Sequence, residues 1–238
     1  MSSVRAISIG LALAAAAMAS AAQAGVVVKS SGPSAGQYPP GKKLDDDARI
    51  TLKAGDSVTV LTGGGTRVIS GAGTHRVGAR GASKRSTFAV LTRQRSSQRV
   101  RTGAVRAPDG VMAMLRSPNL WYVDVSQSGT VCVANPDAVR LWRPGTEGNA
   151  TYVLASATSP DHVHVAFADG EMDTGWNTDQ MPLAEGASYT IMGPDGASAS
   201  EVTFTMLDDP AVDAEGLAEQ LIGKGCMVQL ELLTSAMS

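Results

Sequence analysis

The chain has 238 residues, 43% of them hydrophobic, 4% aromatic and 18% charged, with 26 glycines and 11 prolines. That balance supplies ordinary cores for one or two folded units and excludes a coiled coil, a helical bundle and long disorder. A formal charge of -2 sets no global preference for nucleic acid or acidic substrates, and two cysteines are too few to frame a disulfide miniprotein.

Residues 1–24 read as a signal peptide. Arg5 gives a short positive start, Ala6 to Ala17 form a weakly apolar run, and Ala22-Gln23-Ala24 offers small residues before a cut at Gly25. The run is shorter than the roughly 20 apolar residues that cross a bilayer. The expected mature chain therefore starts at Gly25, is periplasmic or secreted, and carries no transmembrane segment after cleavage. Outside the reducing cytosol thiols end as disulfides, so Cys132 and Cys226 are expected to pair as a structural bond. Neither has a nearby histidine or a Cys-x-x-Cys partner, which argues against a catalytic thiol.

From residue 25 to 79 short β-branched runs alternate with turn residues, predicting strands at Val26 to Lys29, Ala48 to Lys53, Ser57 to Leu61, Arg67 to Ser70 and His75 to Val77. Pro39-Pro40-Gly41, Ala54-Gly55-Asp56 and Gly63-Gly64-Gly65 supply the reversals. The glycine run leads into another strand rather than a lysine and a helix, so it reads as a hairpin and not a phosphate loop. In its VVVKSSG opening, YPPGKKL turn and DARITLKAGDSVTVL and GGGTRVISGAGTHRV strands, this stretch resembles the FecR-type periplasmic domain. The resemblance implies a small β module working in the envelope and carries over no catalytic residue.

Residues 80–110 read as a basic helical linker. Across residues 76–106, Arg76, Arg80, Lys84, Arg85, Arg93, Arg95, Arg99, Arg101 and Arg106 are nine cations with no acidic residue among them, and Ser86-Thr87 before Phe88 to Leu91 suits a capped short helix. Gly103 and Pro108-Asp109-Gly110 mark a flexible join. Between Asp161 and Glu219 lie thirteen acidic residues and no lysine or arginine. Two uses of the basic run follow: pairing with that acidic field, or binding an anionic surface or polysaccharide through Arg93, Arg95, Arg99 and Arg101. Export and a single aromatic in the run speak against nucleic acid.

Residues 111–238 read as a β-rich domain with a C-terminal helix, with strands at Trp121 to Val125, Val131 to Val133, Val139 to Trp142, Tyr152 to Leu154, His162 to Phe167, Tyr189 to Met192 and Glu201 to Met206. Such spacing suggests a β-sandwich or open barrel. Ala211 to Ile222 has helical spacing, ended by Gly223 and Gly225, while Met227 to Leu233 fits a strand or a second short helix. The expected fold class is thus mainly β: a small antiparallel module, a basic helical connector, and a sandwich or open barrel closed by a helix.

Candidate chemistry is sparse. His162 and His164 flank Val163 and in a strand share a face, as two metal-binding imidazoles can, but a third ligand is missing locally. They read first as surface residues. Asp169, Glu171 and Asp173 alternate in a loop without the rest of a calcium motif. Trp121 and Trp142 suit the centre of a sandwich, whereas Trp176, between Gly175 and Asn177, is the surface candidate for a sugar ring or a protein partner. No nucleophile elbow, Ser-x-x-Lys pair or zincin helix occurs. The expectation is a non-enzymatic envelope protein without a cofactor, which binds or scaffolds another component. The alternative is a metal-dependent or carbohydrate-active enzyme using His162, His164 and the acidic loop.

Overall fold

A computed structural model describes residues 23–45, 47–78, 84–94, 116–196 and 198–238. Of the expected signal peptide only Gln23 and Ala24 are described, as the start of the first strand, and Arg80, Arg95, Arg99, Arg101, Gly103, Arg106 and Pro108-Asp109-Gly110 of the basic linker lie outside the described residues.

The N-terminal strands form two small sheets. β1 (Gln23–Ser31), β2 (Lys43–Asp45), β4 (Ser57–Thr62) and β5 (Gly65–Ser70) make an antiparallel sheet in the order β2-β1-β4-β5, and β3 (Arg49–Leu52) pairs with β6 (Gly73–Arg76). Between them Val27, Leu44, Ile50, Val58, Val60 and Ile69 share a core. Alternation explains the strand faces, but the Val26-Val27-Val28 run does not alternate. It is buried on both sides: Val27 faces this core, while Val26 and Val28 face the helices described below. Gly25 lies so close to β4 that a Cβ there would sit 2.5 Å from the Leu61 carbonyl oxygen, which is why this position of β1 is a glycine. Strand β2, within the charged run KKLDDD, was not expected; it buries only Leu44 and is held by its pairing with β1. Asp56 locks the third turn. Burial opposes its ionisation, but hydrogen bonds from Ser34 and Lys53 outweigh that cost and hold the carboxyl below the ordinary range.

The larger β unit has two sheets. β8 (Gly129–Val133), β10 (Ala150–Ser156), β11 (His162–Phe167), β13 (Ser188–Met192) and β14 (Ala199–Met206) lie in the order β11-β10-β13-β14-β8. β7 (Tyr122–Asp124), β9 (Arg140–Trp142) and β12 (Asp173–Gly175) form the second sheet in the order β12-β9-β7. Val123, Leu141, Leu154, Phe167, Ile191 and Phe204 from both sheets fill one core, a sandwich-like arrangement and not a closed barrel. Strand β12 falls in the stretch read as an acidic loop. Asp173 pairs with Trp142 across the ladder and its carboxylate binds Arg140. The neighbouring Arg143, 3% exposed, donates to the carbonyls of Glu171 (2.8 Å), Gly148 (3.0 Å) and Ala168 (3.0 Å) and lies over the Phe167 ring. Carbonyl dipoles thus replace water around the buried guanidinium and fix two loops at once.

Three α-helices join the two β units. α1 (Arg85–Leu91) occurs inside the expected connector, but it starts at Lys84 with no side-chain cap; Ser86 and Thr87 lie in its first turn instead. Lys84 sets that start, because its backbone N–H reaches the Gly63 carbonyl and its ammonium reaches the Ser238 carbonyl. α2 (Ala214–Lys224) is capped by Asp213, whose carboxylate accepts the Gly216 N–H at 2.8 Å, and ends at Gly225 in the left-handed region. The segment left open between strand and helix is α3 (Met227–Ala236). Its last carbonyls are satisfied by β5: Thr66 donates its N–H to Met237 and its hydroxyl to Thr234, both at 2.7 Å. The approach needs Gly65, where φ is +123° and a Cβ would lie 2.6 Å from the Met237 oxygen.

One core runs through all of these pieces. Val26, Val28 and Leu61 from the first module meet Phe88 and Leu91 of α1, Leu120 and Trp121, and Leu217, Leu221, Leu230 and Leu233 of α2 and α3. The disulfide between Cys132 on β8 and Cys226 between α2 and α3 closes it, with a Cα–Cα distance of 5.8 Å and a sequence separation of 94. Beside it Gln229, 4% exposed, accepts the Cys132 N–H at 2.7 Å and donates to the carbonyls of Cys132 and Leu120, both at 2.9 Å.

Two stability measurements check this junction. Replacing Gln229 by leucine leaves three buried backbone groups without partners, and urea unfolding is expected to show a loss of about 3 kcal/mol. Reducing the disulfide frees a long loop in the unfolded chain and is expected to lower stability by about 4 kcal/mol, less any native strain, in the same assay.

Candidate functional site

Two surfaces meet at the junction of the β units. The first is a cleft of about 530 Å³ between the β7–β8 loop and α3. Leu120, Val131 and Leu232 give it an apolar lining, and Asp124, Ser126 and Thr130 a polar one. Arg116 and Glu231, 3.6 Å apart and both largely exposed, also line it. The loop is held in place: Ser200 donates its hydroxyl to the Val125 carbonyl at 2.8 Å, and Ser128 accepts the Glu201 N–H at 3.0 Å. Burial raises the affinity of Asp124 for its proton, and hydrogen bonds from the Ser126 N–H (2.9 Å) and hydroxyl (2.6 Å) only partly offset this. The volume and mixed lining suit a small ligand or a side chain of a partner.

The second surface is basic. Arg85, in the first turn of α1, and Arg93, just beyond it, are exposed and line a groove whose other residues include Phe88, Trp121, Asp213 and Glu215. The end of α1 is fixed from downstream: Asn119 donates its side-chain amide to the Arg93 carbonyl (2.7 Å), Leu120 its N–H to Leu91 (3.0 Å), and Trp121 its indole N–H to Thr92 (2.8 Å). These bonds fix the C-terminal end of α1 through Arg93. Glu215 is buried enough to be pushed up, with the like charges of Asp213 and Glu219 adding to the shift.

Of the acidic field, Asp213 and Glu215 line the same groove, while other members are engaged away from it. Asp169 accepts the Gly148 N–H (2.8 Å), Glu171 the Ala168 N–H (3.1 Å), and Glu185 the Thr205 hydroxyl (2.7 Å) and Met206 N–H (2.6 Å). Asp213 caps α2, Asp173 binds Arg140, and Glu219 meets Lys43 at 2.8 Å. Among the described residues no ion pair joins Arg85 or Arg93 to any carboxylate.

The other expected site residues scatter. Trp176 is not a surface residue: it is 7% exposed, its indole N–H binds the Met181 carbonyl at 2.7 Å, and its ring meets Tyr189 and Phe204 edge to face. Its polar neighbours in sequence misled, because the ring turns inward onto strands that arrive later in the chain. His162 and His164 lie exposed on one face of β11, with ring centroids 5.7 Å apart. Among the described residues no group of three or more histidine, cysteine or acidic side chains could hold a metal. Asp124, Ser126 and Gln229 were not anticipated. Only the Asp-x-Ser spacing, a local turn signal, marked the first two.

Against protein-family models, curated proteins and solved structures the chain finds no match.

The raised proton affinity of Asp124 has a measurable sign. Its folded value lies above the ordinary aspartate value of about 3.9, so the stability it contributes is present below that pH and is lost as pH rises through the folded value. The difference in unfolding free energy between the natural chain and Asp124→Asn is expected to move against the natural chain from pH 3 to 7.

Proposed function

We propose that this protein is a non-enzymatic component of the cell envelope, periplasmic or secreted, that attaches to an anionic surface or polysaccharide through its basic connector. One observation carries the reading. Among the described residues Arg85 and Arg93 are exposed and form no ion pair, while Asp169, Glu171, Asp173, Glu185 and Glu219 of the acidic field are engaged in loop bonds and ion pairs elsewhere. Desolvating those acids to reach the connector would forfeit bonds already made, so the positive field stays available to an external partner.

Two further observations support the setting. The chain carries a buried disulfide, and among the described residues no helix is long and apolar enough to cross a membrane. The layout of residues 25–79, with reversals at Pro39-Pro40-Gly41, Ala54-Gly55-Asp56 and Gly63-Gly64-Gly65, is compatible with the proposed FecR-type module. In this reading the module and the sandwich form the body that displays the connector. The cleft beside α3 offers a second contact for the same partner.

Exchanging Arg93, Arg95, Arg99 and Arg101 for glutamine tests the proposal. At about 1 kcal/mol for each basic residue near an anionic bilayer, sedimentation with phosphatidylglycerol vesicles at low salt is expected to show binding weakened on the order of a hundredfold or more. Unchanged retention sinks the connector as the contact.

A further inference from the structure

The fold leaves the two imidazoles of β11 unused. His162 and His164 are exposed on the face opposite the sandwich core, and β11 is the last strand of its sheet. Its register with β10 runs from Ala155 opposite His162 to Ala150 opposite Phe167 without a bulge. The strand HVHVAF contains no lysine and no proline. A bulge, a lysine or a proline are the devices that normally keep an edge from pairing with another chain. This edge has none of them.

The hydrogen-bonding phase of the edge follows from its hairpin. Ser156 donates its N–H to the Asp161 carbonyl at 2.9 Å, which makes that pair a bonded one. Alternation along an antiparallel ladder then directs the N–H and C=O groups of 163, 165 and 167 toward β10 and those of 162, 164 and 166 outward. Both histidines therefore stand at outward backbone positions.

We propose that two copies of this chain pair β11 to β11, antiparallel about Val163, and that the joined edge binds one divalent transition-metal ion, zinc in its chemistry, through His162 and His164 of both copies. A twofold axis perpendicular to the sheet sets Val163 opposite Val163 and each His162 opposite the second copy's His164, and it keeps all four rings on one face. Opposed Cβ atoms lie about 5 Å apart and residues two apart along a strand about 7 Å. Imidazoles reaching up from the corners of such a rectangle converge on a point above it, at the tetrahedral four-nitrogen coordination that zinc accepts. The same pairing lets each facing His162 and His164 exchange two backbone hydrogen bonds. Within one chain no third ligand joins the pair among the described residues, so metal and dimer depend on each other: zinc tightens the dimer because the dimer completes the site.

The test uses the purified full chain with its disulfide intact. Light scattering after gel filtration is expected to show the mass doubling when half an equivalent of zinc per chain is added, and returning to the single-chain value in EDTA. The dimer dissociation constant in zinc should be at least a hundredfold lower than in EDTA. The His162→Ala/His164→Ala variant, altered only at exposed positions and checked for native circular dichroism, should lose the response. A mass that zinc leaves unchanged overturns the proposal, as does a zinc-induced dimer that survives in the variant, or zinc held one per monomer.

Discussion

The structure depends on a buried junction where a covalent bond and an amide do complementary work. The Cys132–Cys226 bond ties the edge strand of the sandwich to the corner between the last two helices. Gln229, one turn further on, satisfies both backbone groups of Cys132 and the carbonyl of Leu120. Without it β8 would meet the helix pair with bare polar groups in an apolar core, which is costly in a medium that cannot hydrate them. With it, the helices can press an apolar surface onto both β units. The first module contributes Val26, Val28 and Leu61 to that surface, so it is welded to the sandwich rather than tethered by a linker.

This junction also arranges the surfaces. α1 is short, seven residues, and too brief to be stable on its own. It persists because Phe88 and Leu91 join the shared core and because residues 119–121 take up its last carbonyls. The connector thus leaves the body from a defined place, with Arg85 and Arg93 facing solvent beside the cleft-forming helix. Charge separation within the chain follows from short-range chemistry. Glu171 and Asp213 find backbone N–H groups three residues away, while Asp169 and Glu185 find theirs across 21 residues where strands and loops meet, and such fixed hydrogen bonds hold better than an ion pair on a solvated surface.

The edge of the sandwich shows a different economy. Interior strands of the five-stranded sheet have a neighbour on each side, while β11 pairs on one side only. Its inward residues, Val163 and Val165, pack against the core and hold the strand in register, so the outward residues are presented on a rigid scaffold. The histidines therefore have a fixed spacing before any ligand arrives, and that is the property a metal or a second strand can use.

Local pattern alone determined most of the elements: the period-two runs became strands, the glycine and proline pairs became turns, and Asp213 and Gly225 bounded a helix. These features are decided by patterns within a few residues. Only the tertiary structure decided which face each element covers. Trp176 sits in a polar sequence yet is enclosed by Tyr189 and Phe204; Met227 to Ala236 became a helix because α1, β5 and β8 cover it; and β1 is buried on both sides because helices from the far end of the chain pack upon it. Each outcome depends on a partner remote in sequence, and periodicity records that a face is apolar without recording what will meet it.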